Sequence, residues 1–485
     1  MEKDLTTQQL LGSFLRIAHK ELSDYTKDGL DILKVDPDFY AHLIAWNQTN
    51  GEIRDSKVAC PVIAFRGIDN GEYHENAVAH LLLLDPRNLV KAIRFDKSFA
   101  GRVAGSKKLF NYGIEQYLRV REANPVWFDR TCLQHRESMK TLYALNHIKP
   151  GTRAQKILFE RKYPRNSVFE VLRTLAAMDP LEAAGAILTH KIPFMIAIGA
   201  VGGVKKNTNL LLALIESMSA AELLTNTNML TKLGVMEDSV LKNAYQTCLK
   251  KVQTDKRVSS LKAGRAAEVV VDKKVKEQLK KVQEDKIDTL KGMDGDWLVL
   301  GDRSGSMSYS IEKAKEVAAF LARTVKGKIH LVFFDTRPQS FEVTGKSLDE
   351  IKNLTRGVRP GGATSIGSGL QLVLDKGILV NGIVIVSDGG ENSTPMFSTV
   401  YRQYQEKFQI SPTTYLLHVP GDTDCFSQRI KGVVPFYSKL DVSKADFYSL
   451  PNLLKVLRAS SFSLYDEIME TKLLKIQDAL KVKGG

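Results

Sequence analysis

Two periods of apolar residues divide the chain. Up to about residue 290 the spacing is helical. Leu10, Leu11, Phe14, Leu15 and Ile17 recur at intervals of three and four, which predicts a helix over 5–22. Asp36-Pro37 opens a helix over 38–47, and a helix over 75–84 gives way at Asp85-Pro86. Asn124-Pro125 starts a long helix that runs through His135 to His147 and stops at Lys149-Pro150-Gly151. A polar cap followed by Pro fits a first helical turn, where the missing N–H costs nothing. Further helical runs fall at 167–177, 179–188, from Pro193, and at 209–217, 219–230 and 238–251. Helices of this length joined by short turns build an all-α solenoid of stacked hairpins, of which a closed ring is one form. No strict repeat period is visible, so an ordinary helical bundle remains the alternative.

From Asp296 the period changes. Near-continuous apolar runs at 297–301, 329–334, 382–387 and 413–419 predict strands, and helical runs at 311–325, 348–354, 368–375 and 396–408 separate them. Strands buried on both faces and alternating with helices imply a doubly wound, mostly parallel sheet. The fold class is therefore α plus α/β, with domains at 1–290 and 291–485. Helices at 450–460 and 463–480 cover the sheet or reach back onto the helical part.

Chemistry concentrates at the strand ends. The run Trp297-Leu298-Val299-Leu300-Gly301 leads into Asp302, with Ser304 and Ser306 at alternate positions after it. Gly361-Gly362-Ala363-Thr364-Ser365 is a glycine-turned loop carrying a hydroxyl, and Ile383 to Val386 leads through Ser387 to Asp388. These are hard oxygen donors, and ligands of such sheets sit at the carboxyl ends of strands. A lone D-x-S-x-S is common in turns, whereas three pieces in this order are not. A serine-hydrolase elbow fails because Asp302 and Ser306 stand where it needs glycines, and no phosphate-loop lysine follows the glycines. Asp302/Ser304/Ser306, Thr364 and Asp388 together resemble the metal-ion-dependent adhesion site (MIDAS) of a von Willebrand factor A domain. The resemblance implies Mg²⁺ or another divalent cation. Ser304, Ser306 and Thr364 would be direct ligands and the two aspartates would act through water.

Charge changes the picture on the helical side. The chain has a formal net charge of +14. Residues 1–295 hold 45 Lys and Arg against 35 Asp and Glu, and residues 296–485 hold 24 against 20. A basic surplus favours a polyanionic partner, nucleic acid before an acidic membrane. Residues 241–291, with 14 bases against 7 acids, include the cluster Lys250, Lys251, Lys256 and Arg257. Both a solvated helix face and a phosphate-contact surface fit that run. The cysteines Cys60, Cys132, Cys248 and Cys425 show no metal spacing and read as reduced thiols. The polar start, and apolar runs too short to span a bilayer, point to the cytoplasm without a membrane partner.

A second resemblance lies in the helical part. Leu142 to Pro150, Ala186 to Lys191 and Ile196 to Gly203 are similar to the HEAT-like TROVE helical-repeat module of the Ro autoantigen family. In that family the module precedes a von Willebrand A domain, the order seen here. The resemblance implies a ribonucleoprotein role in RNA quality control or processing. It implies binding of small noncoding (Y-like) RNA and of misfolded RNA ends, contacts that include His190 and Lys191, and work beside an exoribonuclease. The segment from Gly51 to Gly113, with Arg66, Arg94, Arg102, Lys107 and Lys108 read in Gly-rich loops, matches nothing in that module. The competing reading is a scaffold in which the helical repeats and the metal site both grip acidic peptide partners without RNA. An enzyme ranks third, because no base stands beside the metal motif, and His147 and His190 read as buried, hydrogen-bonded residues.

Overall fold

The computed structural model describes residues 2–16, 21–51, 53–99, 107–165, 167–201, 207–255, 258, 260–288, 292–421, 424–441, 450–459 and 462–484. The chain forms two compact units, Met1–His19 with Ile287–Asp466 and Lys20–Lys286 with Glu467–Gly485. Relative to a single cut near residue 290, the first helix goes with the sheet and the last goes with the helices.

Four helices of the helical unit begin the same way. Asp36, Asp85, Asn124 and Asp179 each accept from the backbone N–H of Phe39, Asn88, Trp127 and Leu181, and each is followed by Pro at the first helical position. The side chain supplies one of the acceptors that the first turn lacks, and Pro removes a donor that would be orphaned. Each helix packs mainly on those one and two places along the chain, as stacked hairpins do. The helix Pro125–Leu145 is broken at His135, where φ is −135°.

The segment from Gly51 to Gly113 is helical, not a run of loops. Helices occupy Arg54–Gly67, Gly71–Leu82 and Pro86–Ser98, and another begins at Lys107. Arg54–Gly67 hides its period because nine of its residues are buried, on every face. It also contains Pro61, which cannot bond the carbonyl of Lys57. Gln48 Nε2 donates to that carbonyl instead, at 2.9 Å. Arg66 forms a two-pronged ion pair with buried Asp96, at 2.5 and 2.6 Å, and is structural.

The run expected as one helix over 463–480 is two, Phe462–Met469 and Ile476–Gly484. Between them the chain is stitched to the helical unit. Trp46 Nε1 donates to Glu467 at 2.9 Å, Thr471 Oγ1 donates to the carbonyl of His42 at 2.9 Å, and Leu474 N donates to Asn76 Oδ1 at 2.9 Å. Leu474 N, and Ile476 N, which donates to Glu75 Oε1 at 3.2 Å, are backbone groups that a continuous helix would bond internally, and their outside partners mark the break.

In the other unit six strands, β1 (Trp297–Asp302), β2 (Ile329–Phe334), β3 (Gln339–Glu342), β4 (Gly382–Ser387), β5 (Thr413–His418) and β6 (Tyr437–Asp441), form one sheet. The order is β3-β2-β1-β4-β5-β6, parallel except for β3 at one edge. β1, β2 and β4 are buried along their whole length, so their apolar runs are continuous. Leu298, Leu300, Val332, Phe334, Ile383 and Ile385 pack in one core with residues of the helices Ile366–Asp375 and Phe397–Phe408. Strand order reverses between β1 and β4, so the crevice of this sheet opens at their carboxyl ends.

Two outcomes test this fold. Asn76 is fully buried and bridges Leu474 N and the carbonyl of Ala41, so Asn76→Ala strands the Leu474 N–H and removes a second donor from a helix carbonyl. It is expected to cost about 2–3 kcal/mol in denaturant unfolding of the helical unit. His80 is buried with neither ring nitrogen bonded, and burial pushes its pKa from 6.5 down to about 4. The folded state keeps it neutral while the unfolded state protonates it, so stability is full above pH 6.5 and falls as pH drops toward 4. The loss is on the order of 3 kcal/mol at most, and melts of His80→Leu across that window should be flatter than those of the native chain.

Candidate metal centre and nucleic-acid interface

The metal motif sits at the crevice. Gly301 pairs with Val386, so Asp302 and Asp388 end adjacent parallel strands. Asp302 is fully buried, and its Oδ1 accepts from Ser304 N at 2.9 Å and its Oδ2 from Ser387 Oγ at 2.6 Å. Asp388 is also buried, and its Oδ1 accepts from Gly390 N at 2.9 Å. A Cβ at position 421 would collide with its other oxygen, so Gly421 makes room for the carboxylate. Burial holds the Asp302 carboxyl above its ordinary value, hydrogen bonds from Ser387 and Ser304 oppose this, and the charge of Asp388 adds to the rise. Ser304 and Thr364 are buried and Ser306 is exposed.

Two clips bring the Thr364 loop to this edge. On one side Gly361 N donates to the carbonyl of Arg303 at 2.8 Å, and Arg303 pairs with buried Asp335 at 2.8 Å. Gly362, at φ +78°, lies against that same carboxylate, where a side chain would be both strained and crowded. On the other side Thr364 N donates to Asn392 Oδ1 at 3.0 Å, and its carbonyl accepts from the N–H groups of Asn392 and Ser393. Glu391, only 2% exposed, supports that second clip. Its Oε1 accepts from Gly367 N at 3.0 Å and Phe397 N at 2.9 Å, so one carboxylate oxygen serves the first turns of two helices. Burial raises its pKa, and those backbone bonds lower it. Sequence reading missed Asp335, Glu391 and Asn392. The acid and amide directly after Asp388-Gly389-Gly390 were the available signal.

The donor set suits a hard cation. A buried carboxylate, a second one at the neighbouring strand end and three hydroxyls converge on one sheet edge, and Asp302 is bonded to neutral donors. Among the described residues no group of three or more His, Cys, Asp or Glu could hold a metal, so an ion here relies on hydroxyl oxygens.

On the helical side, Lys250 and Lys251 are exposed on the helix Ser239–Thr254, while Lys256 and Arg257 lie outside the described residues. Lys191 is exposed, and His190 is half-buried with its carbonyl accepting from Arg130 at 3.4 Å. His147 is exposed as well, so neither histidine is the buried, bonded residue expected. Among the described residues of the helical unit the buried ones are His74 and His80. Arg94, Lys107 and Lys108 are exposed on helices, and Arg102 lies outside the described residues. A basic run with an aromatic in it, Arg161-Lys162-Tyr163-Pro164-Arg165, went unremarked in the sequence. Arg136 anchors it by donating to the carbonyl of Ile157 at 2.5 Å and to Tyr163 Oη at 3.2 Å.

Comparison with known proteins bears on the fold. The crystal structure of the Ro (RSR) protein of Deinococcus radiodurans matches with a TM-score of 0.66, covering 94% of this chain and 99% of that one at 14% sequence identity. This chain has the Ro fold. No family model and no curated protein matches the sequence, so the likeness is carried by the backbone. In this version of the Ro fold the loops that carry Thr364 and Asp388 depend on Glu391. Glu391→Gln keeps the oxygen that serves both helices and should change unfolding free energy by less than about 1 kcal/mol, whereas Glu391→Ala should cost about 2–3 kcal/mol. Equal losses in the two variants would assign the effect to charge instead of capping.

Proposed function

We propose that the chain binds RNA through its helical unit and holds a divalent ion in its sheet unit for docking a protein. The observation that carries the RNA reading is charge. The helical unit holds 46 Lys and Arg against 34 Asp and Glu, and the sheet unit holds 23 against 21. Counting the terminal helices with the units they pack in leaves most of the +14 surplus on the helices. Phosphate neutralisation and counterion release dominate affinity for such a surface, with little reading of bases. The Ro fold supports small structured noncoding RNA of the Y-like kind, and misfolded RNA with a single-stranded end, as the ligands. The complex would serve RNA quality control or processing in the cytoplasm. The role is binding and not catalysis, since the metal edge offers carboxylates and hydroxyls without a poised base.

The donor set supports Mg²⁺ or a similar ion held by Ser304, Ser306 and Thr364 directly and by Asp302 and Asp388 through water. Bound there, the ion supplies a Lewis-acidic position for a carboxylate. The exposed side of Ser306 leaves that position accessible to an Asp or Glu of a partner such as an exoribonuclease.

The full chain is the material for the test, because each unit contains a terminal helix from the far end of the sequence. RNA affinity in a filter assay should fall steeply with salt. Asp302→Ala should remove Mg²⁺ binding in calorimetry and leave RNA affinity intact. Absence of salt-sensitive RNA binding, together with Mg²⁺-dependent binding of an acidic peptide, would establish the scaffold reading. RNA shortening by nuclease-free protein, lost in Asp388→Ala, would overturn the non-enzymatic role.

A further inference from the structure

The acids and bases of the sheet unit are nearly balanced, but one side of its metal edge is not. Three loops lie on the β2 side of that edge: 303–307 after β1, 335–338 after β2, and 355–365 ahead of the helix Ile366–Asp375. Together they hold four arginines, Arg303, Arg337, Arg356 and Arg359, against one acid, Asp335. Asp335 is buried and is spent on Arg303, at 2.8 Å. Arg337, Arg356 and Arg359 are exposed and make no ion pair among the described residues. Asp302, Asp388 and Glu391 are all buried, so the charge this side shows to solvent is that of guanidinium groups.

One ion pair fixes where those groups stand. Arg303 Nη2, held by Asp335, also donates to the carbonyl of Arg337 at 2.9 Å, and the carbonyl of Arg303 accepts from Gly361 N at 2.8 Å. Gly362, two residues before Thr364, lies against the Asp335 carboxylate. The pair thus ties the loop of Arg337 and the loop of Arg356 and Arg359 to the strand end that carries Asp302. Arg359 has a local role as well, since it donates to the carbonyls of Arg356 at 2.7 Å and Val358 at 3.2 Å and closes its own turn. The side chains of Arg337 and Arg356 make no such bond among the described residues. The bland account of exposed arginines is solubility. Solubility needs charge somewhere on the surface, not unpaired guanidinium groups on loops that a buried ion pair fastens beside a metal motif.

The chemistry selects the occupant. A guanidinium takes a carboxylate through two parallel N–H bonds, and a hard cation takes one through oxygen. Both suit a protein segment rich in Asp and Glu. A single strand of RNA would bring phosphates to the same cations, but it draws much of its hold from stacking, and the three loops contain no aromatic residue. Tyr309, which follows the β1 loop, has Lys313 over its ring at 5.6 Å.

Resting on the ion reading above, we infer that Arg337 and Arg356, with Arg359 beside them, form a specificity face for an acidic protein segment. The carboxylate that meets the ion is followed in that segment by further Asp or Glu residues, which pair with these guanidinium groups. The probes are two fluorescent peptides of equal length, one with a lone Glu among Gly and Ser and one with that Glu followed by a run of acids. Anisotropy on the full chain is read in Mg²⁺ and in chelator. With Mg²⁺ the acidic run should bind about tenfold more tightly than the lone Glu, the margin of two exposed charge pairs. That margin should shrink as salt rises. Arg337→Ala combined with Arg356→Ala should erase it while leaving the melting temperature, Mg²⁺ binding in calorimetry and the affinity of the lone-Glu peptide as in the native chain. Arg337→Lys with Arg356→Lys should keep most of it. If the double alanine variant retains the margin, or the native chain binds Mg²⁺ but neither peptide, this face is wrong and the ion reading stands. If the native chain binds no Mg²⁺, both fail. Loss of hairpin RNA affinity in the double alanine variant, with the peptide margin unchanged, would assign the face to RNA and overturn the proposal.

Discussion

Every α-helix leaves its first N–H groups and last carbonyls without partners, and in a chain with this many helices the closing of those ends governs the rest. At N-termini the helical unit repeats one solution, an Asp or Asn followed by Pro. In the sheet unit a single buried carboxylate, Glu391, closes two helices at once, and in doing so draws the Thr364 loop and the Asp388 loop together. At C-termini the helical unit uses left-handed turns, three of which carry cationic or imidazole side chains. The connecting loops are short and fixed because their backbones are spent on closing helices, and the candidate functional groups sit on those loops.

A second constraint is the exchange of the chain ends. The N-terminal helix packs with the sheet, with Gln9 donating to the carbonyl of Pro435, and the C-terminal helix packs with the helical unit. The units are thus joined by three chain crossings and not by one linker. The exchange also sharpens the electrostatics, since the basic C-terminal segment is added to the helical surplus. The helical unit thus carries most of the net charge, and the nearly neutral sheet unit carries the candidate metal residues at its strand ends.

Much of this was legible in the sequence, for identifiable reasons. β1, β2, β4 and β5 are buried on both faces, so their apolar runs stand out. β3 and β6 were missed because they are edge strands, Gln-Ser-Phe-Glu and Tyr-Ser-Lys-Leu-Asp, whose polar positions break the pattern. Arg54–Gly67 was missed for the opposite reason: it is buried all round and carries a proline. The positions of Asp302 and Asp388 at adjacent strand ends could be read because they follow apolar runs locally, whereas Asp335 and Glu391 act through contacts with residues distant in sequence. The exchange of terminal helices has no local signal at all. His147-Ile148-Lys149-Pro150 and Lys191-Ile192-Pro193 did carry one, because Pro soon after an apolar residue marks a helix stop of this type.

The central claim is that RNA lies on the helical unit. Ultraviolet cross-linking of the native complex, followed by mass spectrometry of the adducted peptides, addresses it most directly. The account places the adducts within residues 20–286, with the segment from His147 to Lys191 among them, and leaves the strand-end loops around Asp302 and Asp388 unmodified. Adducts concentrated on the sheet unit, or none on the helices, would contradict it.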